Sequence, residues 1–187
     1  RRVWGAYRLL APSVDLPSEY GEYRKSRPYP VSLKPDAKVS VLDVLDVLRD
    51  HYEGTEYDMT KGLAAGPFGS PNRIAAGVGK GAGEAEVSGN WERSIALYRT
   101  TDSYVSVSRG DLGDAAGPVV WFAPGAAHGT VFVPLSPHMT RVPHAYSHGN
   151  PLEFDRTTAT WGTKYVSNIM DLKWKYMVRD VAAAQHA

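Results

Sequence analysis

The chain has 187 residues, 43% hydrophobic and 22% charged, with a formal net charge of +1, which suits one soluble-type domain spanning residues 1–187 with a substantial core. So small a net charge gives no electrostatic case for nucleic acid or an anionic membrane surface, and no apolar run reaches the length of a transmembrane helix. The chain contains no cysteine, which excludes disulfides, thiolate metal sites and a cysteine nucleophile within these residues.

The start, Arg1-Arg-Val-Trp, carries no initiator methionine and is not a signal peptide; it reads as a cleaved product or a piece of something longer. Residues 3–10 read as a short helix or strand ending before Pro12, because the residue preceding proline avoids the helical region. Pro12 to Asp36 carries four further prolines and reads as extended surface chain, with a short strand expected at Val31 to Leu33. Ser40 opens a helix. It can cap the first turn, and Asp43 three residues later resembles a capping box with a shorter acid. Val41, Leu45, Leu48 and Tyr52 share one face, with Gly54 as the left-handed stop and His51 read as a helix-end residue.

Tyr52 to Arg73 has neither helical nor strand periodicity. Loops of this length are uncommon and are usually functional or disordered. Tyr52, Tyr57, Met59, Leu63 and Phe68 supply apolar anchors that a disordered linker lacks, so an ordered binding loop is expected. Ala75 to Asn90, glycine-rich and almost without large side chains, reads as a surface excursion.

Four strands are expected next as an antiparallel meander. Trp91–Thr100 and Ser103–Arg109 flank a Thr101-Asp102 hairpin turn, Pro118–Ala123 is apolar throughout as a strand buried on both faces would be, and Thr130–Pro134 follows a turn at Pro124–Gly129. The last expected element is one helix from Ala159 to Val181, capped by Asp155 or Thr157. Helix, strands, helix argues an α+β fold with segregated layers.

Motifs with a fixed chemistry are absent: there is no GxSxG, Walker loop or HExxH. His138, His144 and His148 lie in a proline-rich loop without carboxylates at ligand spacing, so no metal or other cofactor is expected. His128, at a turn among small residues, is open to two readings, a pocket residue or a turn histidine satisfied by backbone groups. Arg93 could hold a carboxylate bidentately or pair with Glu92. Asn72 could donate to an oxyanion or be an ordinary turn residue.

Four blocks resemble one family. His51-Tyr-Glu-Gly-Thr-Glu-Tyr-Asp-Met-Thr-Lys-Gly-Leu-Ala-Ala-Gly-Pro-Phe-Gly-Ser-Pro-Asn-Arg73, Trp91-Glu-Arg-Ser-Ile-Ala-Leu-Tyr-Arg-Thr-Thr101, Val119-Val-Trp-Phe-Ala-Pro-Gly-Ala-Ala-His-Gly-Thr130 and Asn168-Ile-Met-Asp-Leu-Lys-Trp174 are similar, in that order, to the secernin-like cysteine dipeptidases of peptidase family C69. The resemblance implies an N-terminal nucleophile hydrolase, in which two antiparallel sheets lie between helical layers (αββα). It also implies a cysteine nucleophile whose own α-amine is the base, and a dipeptide substrate.

This sequence departs from that pattern by having no cysteine, so it corresponds to a later portion of a family member. Either the nucleophile sits on a companion chain after cleavage, or that half is lost or replaced. Cleavage is the favoured reading, because half of a layered sandwich would expose a large apolar sheet face; this chain alone is expected to be inactive. The competing reading is a non-catalytic scaffold that kept the fold. By similarity to the related penicillin acylase-like hydrolases, Arg93 is expected near the cysteine and Asn72 at the oxyanion. Gly66 and Gly69 are expected to let the loop approach substrate, and His128 to line the pocket. A homo-oligomer is compatible with these expectations, as is secretion or a lysosome-like compartment, with the cytoplasm as the alternative.

Overall fold

In the computed structural model, residues 1–19, 28–73 and 92–185 are described. The expected excursion Ala75–Asn90 and the first residue of the expected strand, Trp91, lie outside them. The N-terminal segment is helical: α1 spans Arg2–Leu10 and closes where the Ala11 N–H bonds the Tyr7 carbonyl. The chain beyond is extended and returns to the end of this helix. There the Asp36 N–H donates to Leu10 O at 3.0 Å, and the Asp36 carboxylate accepts from the Ser13 N–H and hydroxyl at 2.8 and 2.6 Å. No strand forms at Val31–Leu33. Val31 is fully exposed, and Pro30 and Pro35 bracket a run too short to extend into a ladder.

Helix α2 (Val41–Arg49) begins with the expected capping box. Ser40 Oγ accepts from the Asp43 N–H, and the Asp43 carboxylate accepts from the Ser40 N–H. It ends earlier than the hydrophobic spacing suggests. Asp50 is extended and its carboxylate accepts from the Arg8 guanidinium of α1. Tyr52 lies outside the helix in the left-handed region at φ 65°, so Gly54 turns the chain without being the helix stop. A non-glycine residue holds that conformation only when its surroundings over-determine it. Here the Tyr52 ring is fully buried, and its hydroxyl donates to the Arg93 carbonyl at 2.6 Å.

The sheet is an antiparallel meander of β1 (Asp102–Val107), β2 (Val119–Pro124) and β3 (Val133–Leu135). Its register aligns Tyr104 with Phe122 and Val133 on one face, and Val105 with Trp121 and Pro134 on the other. The expected fourth strand is not formed over the described residues 92–100. Their polar groups are engaged elsewhere: the Ala96 N–H donates to Asp50 O at 3.2 Å, the Thr100 N–H to Leu97 O at 2.9 Å and Ser94 Oγ to Ala96 O at 2.6 Å. Thr101-Asp102 is therefore not a hairpin turn. In β2 only Ala123 and Pro124 are buried and the rest is half-buried, short of the two-sided burial expected. The third strand starts three residues later than anticipated. A 3-10 turn at Gly110–Leu112 and the short helix α3 (Gly113–Ala116) join β1 to β2, and α4 (His144–Ser147) follows β3.

Leu45 of α2, Ala123, Ala127 and Phe132 form the buried core, packed by Val41, Leu48, Val105 and Trp121. Helix α2 thus covers the Val105–Trp121 face of the sheet. The C-terminal segment, expected as one helix, is two: α5 (Ala159–Leu172) and α6 (Trp174–Gln185). Thr158, rather than Asp155 or Thr157, caps α5, its Oγ1 accepting the Trp161 N–H. The Asp155 carboxylate is taken by the Thr157 N–H and hydroxyl at 2.8 and 2.6 Å. The break falls at Lys173 (φ −143°, ψ 51°). It turns Trp174 inward to near-complete burial and lets the Lys175 N–H donate to the Phe68 carbonyl of the long loop at 2.9 Å. The architecture is α+β.

Candidate functional site

The 52–73 loop is ordered through its own hydrogen bonds. The Asp58 carboxylate accepts from the Thr60 N–H at 2.9 Å and pairs with Lys61 Nζ at 3.1 Å, the Met59 N–H donates to His51 O at 3.0 Å, and Arg73 spans to the Ser70 and Met59 carbonyls, both at 2.9 Å. Around a 3-10 turn at Leu63–Ala65, Gly66 and Gly69 take φ values of 64° and 66°. Gly69 is required for a second reason: a Cβ there would lie 2.9 Å from the Thr60 carbonyl oxygen.

This loop forms one wall of a cleft of about 640 Å3, within the usual range for small-molecule sites. The end of α2, the 3-10 turn Ala127–Gly129 and α6 form the remainder, so Gly66, Gly69 and His128 face the same space. At its floor is a chain of three ionisable side chains. The Glu53 carboxylate accepts from the His51 backbone N–H at 2.6 Å and meets His51 Nδ1 at 2.8 Å; His51 Nε2 meets His128 Nδ1 at 3.0 Å. His51 is 1% and His128 5% exposed. Trp174 packs edge-on against both imidazoles, with centroids 5.2 and 5.0 Å away, and excludes water from that side.

Burial acts on each group in this region. It pushes His128 down to about 3, aided by neighbouring His51, so this imidazole is neutral at physiological pH. Burial also raises the Glu53 carboxyl, but hydrogen bonds from the His51 ring and backbone outweigh it and hold Glu53 below its ordinary value. Asp171 of α5 is pushed up to about 6 by burial, against the hydrogen bond from Asn72. Asp50 is likewise pushed up to about 6 by burial, against the attraction of Arg8.

The structure separates the remaining expected site residues from this group. Asn72 directs its side-chain Nδ2 to Asp171 Oδ1 at 2.6 Å, which uses one of two amide hydrogens. Arg93 is exposed and is not among the cleft-lining residues; its carbonyl anchors Tyr52. His144 and His148 stack at 3.9 Å, and His148 is occupied by the His144 carbonyl and Thr157 Oγ1. Among the described residues no group of three or more His, Asp or Glu has the geometry to hold a metal ion.

Sequence reasoning passed over His51, Glu53, Trp174, Lys175 and Arg179, all of which line the cleft. A histidine two residues from a glutamate was the one local signal. The partner that gives it meaning, His128, is 77 residues away.

A probable dipeptidase of Salmonella dublin is 30% identical over 133 residues, covering 71% of this chain and 24% of that protein. A probable dipeptidase of Latilactobacillus sakei is 31% identical over 139 residues, covering 74% of this chain and 23% of that protein. The chain therefore spans about a quarter of the length of the curated relatives it matches. The family model for peptidase family C69 matches residues 1–187, and with the glycine-rich loop and the His128 turn built into one cleft, the chain belongs to peptidase family C69.

Proposed function

We propose that this chain forms the substrate cleft of a cysteine-type dipeptidase whose nucleophile lies outside these residues, on a companion chain or segment. The observation that carries the reading is that two of the blocks by which the chain resembles the family, the 52–73 loop and the His128 turn, form the walls of one cleft. An N-terminal cysteine brought to the rim would attack the peptide carbonyl carbon, its thiol proton passing to its own α-amine. The tetrahedral oxyanion collapses to a thioester as the leaving amine takes that proton, and water then releases the acyl product and regenerates the thiol. An α-amine with a pKa near 7.7–8.0 suits both transfers.

In this reading Asn72 offers its second amide hydrogen to the oxyanion. Arg93, exposed and outside the cleft lining, orients the incoming sulfur from beyond the rim. The face of the sheet carrying Tyr104, Phe122 and Val133 receives a second sheet to complete an αββα sandwich. A protein that is cut to expose its nucleophile suits secretion or a lysosome-like compartment.

The test uses the whole protein that carries these residues. Intact mass and N-terminal sequencing should find a chain beginning with cysteine, dipeptides should be hydrolysed, and iodoacetamide should abolish turnover. Turnover indifferent to alkylation removes the cysteine mechanism. No turnover from protein with a free N-terminal cysteine leaves the non-catalytic scaffold.

A further inference from the structure

We infer that the cleft reads both ends of a free dipeptide: His128 Nε2 accepts a hydrogen bond from the α-ammonium, and Lys175 and Arg179 on α6 hold the α-carboxylate. This rests on the dipeptidase reading and adds the residues that set its substrate class.

The polarity of the floor follows from the hydrogen-bond chain. A backbone N–H is an obligate donor, so one Glu53 oxygen is an acceptor for the His51 N–H. The other oxygen of an ionised carboxylate also only accepts, which places a hydrogen on His51 Nδ1. A His51 ring protonated on both nitrogens would donate from Nε2 and make His128 Nε2 a donor, so we take the neutral ring, in which Nε2 is the bare nitrogen and His128 Nδ1 donates to it. That leaves His128 Nε2 as a lone pair. This nitrogen has no hydrogen-bond partner among the described residues, and its imidazole is 5% exposed and lines the cleft. It is not among the sealed, unpartnered polar atoms of the described residues, so it opens toward the cleft, where a ligand donor can reach it. An ammonium is the group that supplies both a donor and a charge-assisted bond. His51 and Glu53 act as positioning residues, fixing the tautomer of the imidazole that touches the ligand.

The opposite end of the ligand is set by α6. Lys175 and Arg179 are four residues apart and share a helix face. Both are exposed and both line the cleft. Neither is in an ion pair among the described residues, although the Lys175 ammonium lies 5.0 Å from the Tyr176 ring centroid. The acids along the cleft are otherwise engaged, Glu53 by His51 and Asp46 by Arg49 at 3.8 Å. The two ends of the site are also tied together. Gln185 at the end of α6 donates to the Ala127, His128 and Thr130 carbonyls at 3.4, 3.2 and 2.8 Å, while the start of α6 is held to the loop by the Lys175 N–H. The helix that carries the cations is therefore held at both ends against the walls that carry His128 and the loop. An extended dipeptide, at most about 7 Å long, fits within a cleft of about 640 Å3 with room for its side chains.

The test measures binding by calorimetry in the whole protein, without turnover. The probe is an Ala-Ala isostere in which CH2–CH2 replaces the peptide bond, with both termini free, N-acetylated or C-amidated. The free form should bind about tenfold or more tightly than either capped form, since sites built for a polar group reject analogues lacking it. The Lys175→Gln/Arg179→Gln double variant should lose the penalty for amidation and keep the penalty for acetylation.

Glu53→Gln tests the floor by chemistry rather than by removal. Its carbonyl oxygen must serve the His51 N–H, so its NH2 faces Nδ1 and reverses the chain, turning His128 Nε2 into a donor. The acetylation penalty should disappear, and side-chain nitrogen NMR should show His128 changing from the Nδ1–H to the Nε2–H tautomer. Equal binding of the three probes, equal weakening of all three by the double variant, or an unchanged His128 tautomer and acetylation penalty in Glu53→Gln overturns the inference. Dipeptide turnover is assayed separately, so a protein that hydrolyses dipeptides without this discrimination defeats the inference alone, and one that discriminates without hydrolysing defeats the dipeptidase reading.

Discussion

At the residue scale, His128 links stability to pH in a direction opposite to Asp50 and Asp171. In the unfolded chain a histidine gains its proton near pH 6.5, whereas the folded environment withholds it until about 3. The stability this group contributes is therefore present above pH 6.5 and lost as pH falls from there toward 3. Asp50 and Asp171, both raised to about 6 from 3.8, act the other way: the folded state holds their protons longer, so each removes stability as pH rises from about 4 to 6. Because the windows overlap, the wild-type curve alone does not separate them, and variants do. Denaturant midpoints across pH 4–7.5 should show the gap between His128→Asn and wild type narrowing on acidification. Asp171→Asn should gain on wild type as pH rises through the same window. A gap for His128→Asn that is independent of pH would mean that the imidazole protonates equally in both states.

A second residue-scale constraint is Gly129, in the turn that carries His128. Its backbone lies so close to α5 that a Cβ would stand 2.2 Å from Ser167 Oγ and 3.0 Å from Ser167 Cβ, while Ser167 donates to the Gly129 carbonyl at 3.2 Å. Gly129→Ala should cost about 1–3 kcal/mol, as overpacking does. Adding Ser167→Gly removes the clashing side chain, so thermal or urea melting of the pair should recover part of the loss. Fully additive costs would instead locate the damage in the turn itself.

At the element scale, what was legible depended on whether the cause was local. The capping box of Ser40 and Asp43 is written in four consecutive residues and formed as read; Ser40→Ala should lower stability by about 1 kcal/mol, measurable by denaturation. Where that helix stops was not legible, because Asp50 answers to Arg8 of α1 and Tyr52 to the carbonyl of Arg93. Residues 92–100 have strand-like composition, yet the Ala96 N–H goes to Asp50 rather than to a ladder. The break at Lys173 is invisible to helical periodicity for the same reason. Trp174 is drawn under two imidazoles from distant segments, and Lys175 is held by Phe68. Of the cleft, the glycine-rich loop and His128 stood out locally through composition and turn chemistry. His51 took its role only from its partner.

At the scale of the whole molecule, the sheet has two unequal faces. Val105 and Trp121 pack on the Leu45 core beneath α2. On the other face Tyr104 is 64% exposed at the edge of a row with Phe122 and Val133, and α4 covers only part of it through Tyr146 against Phe122. In the proposed sandwich this row is the floor on which a second sheet rests, and burying a Tyr-sized side chain there is worth about 1.5–3 kcal/mol. Tyr104→Asp discriminates, because the same substitution has different consequences in the two settings. At an exposed strand position it should stay within about 0.5 kcal/mol of wild type. Under a second sheet it buries an unpaired carboxylate and should cost several times more. Urea denaturation of the isolated chain and of the whole protein, each with and without the substitution, should show a small effect in the first and a large one in the second. Small effects in both would leave this face open to solvent and remove the sandwich.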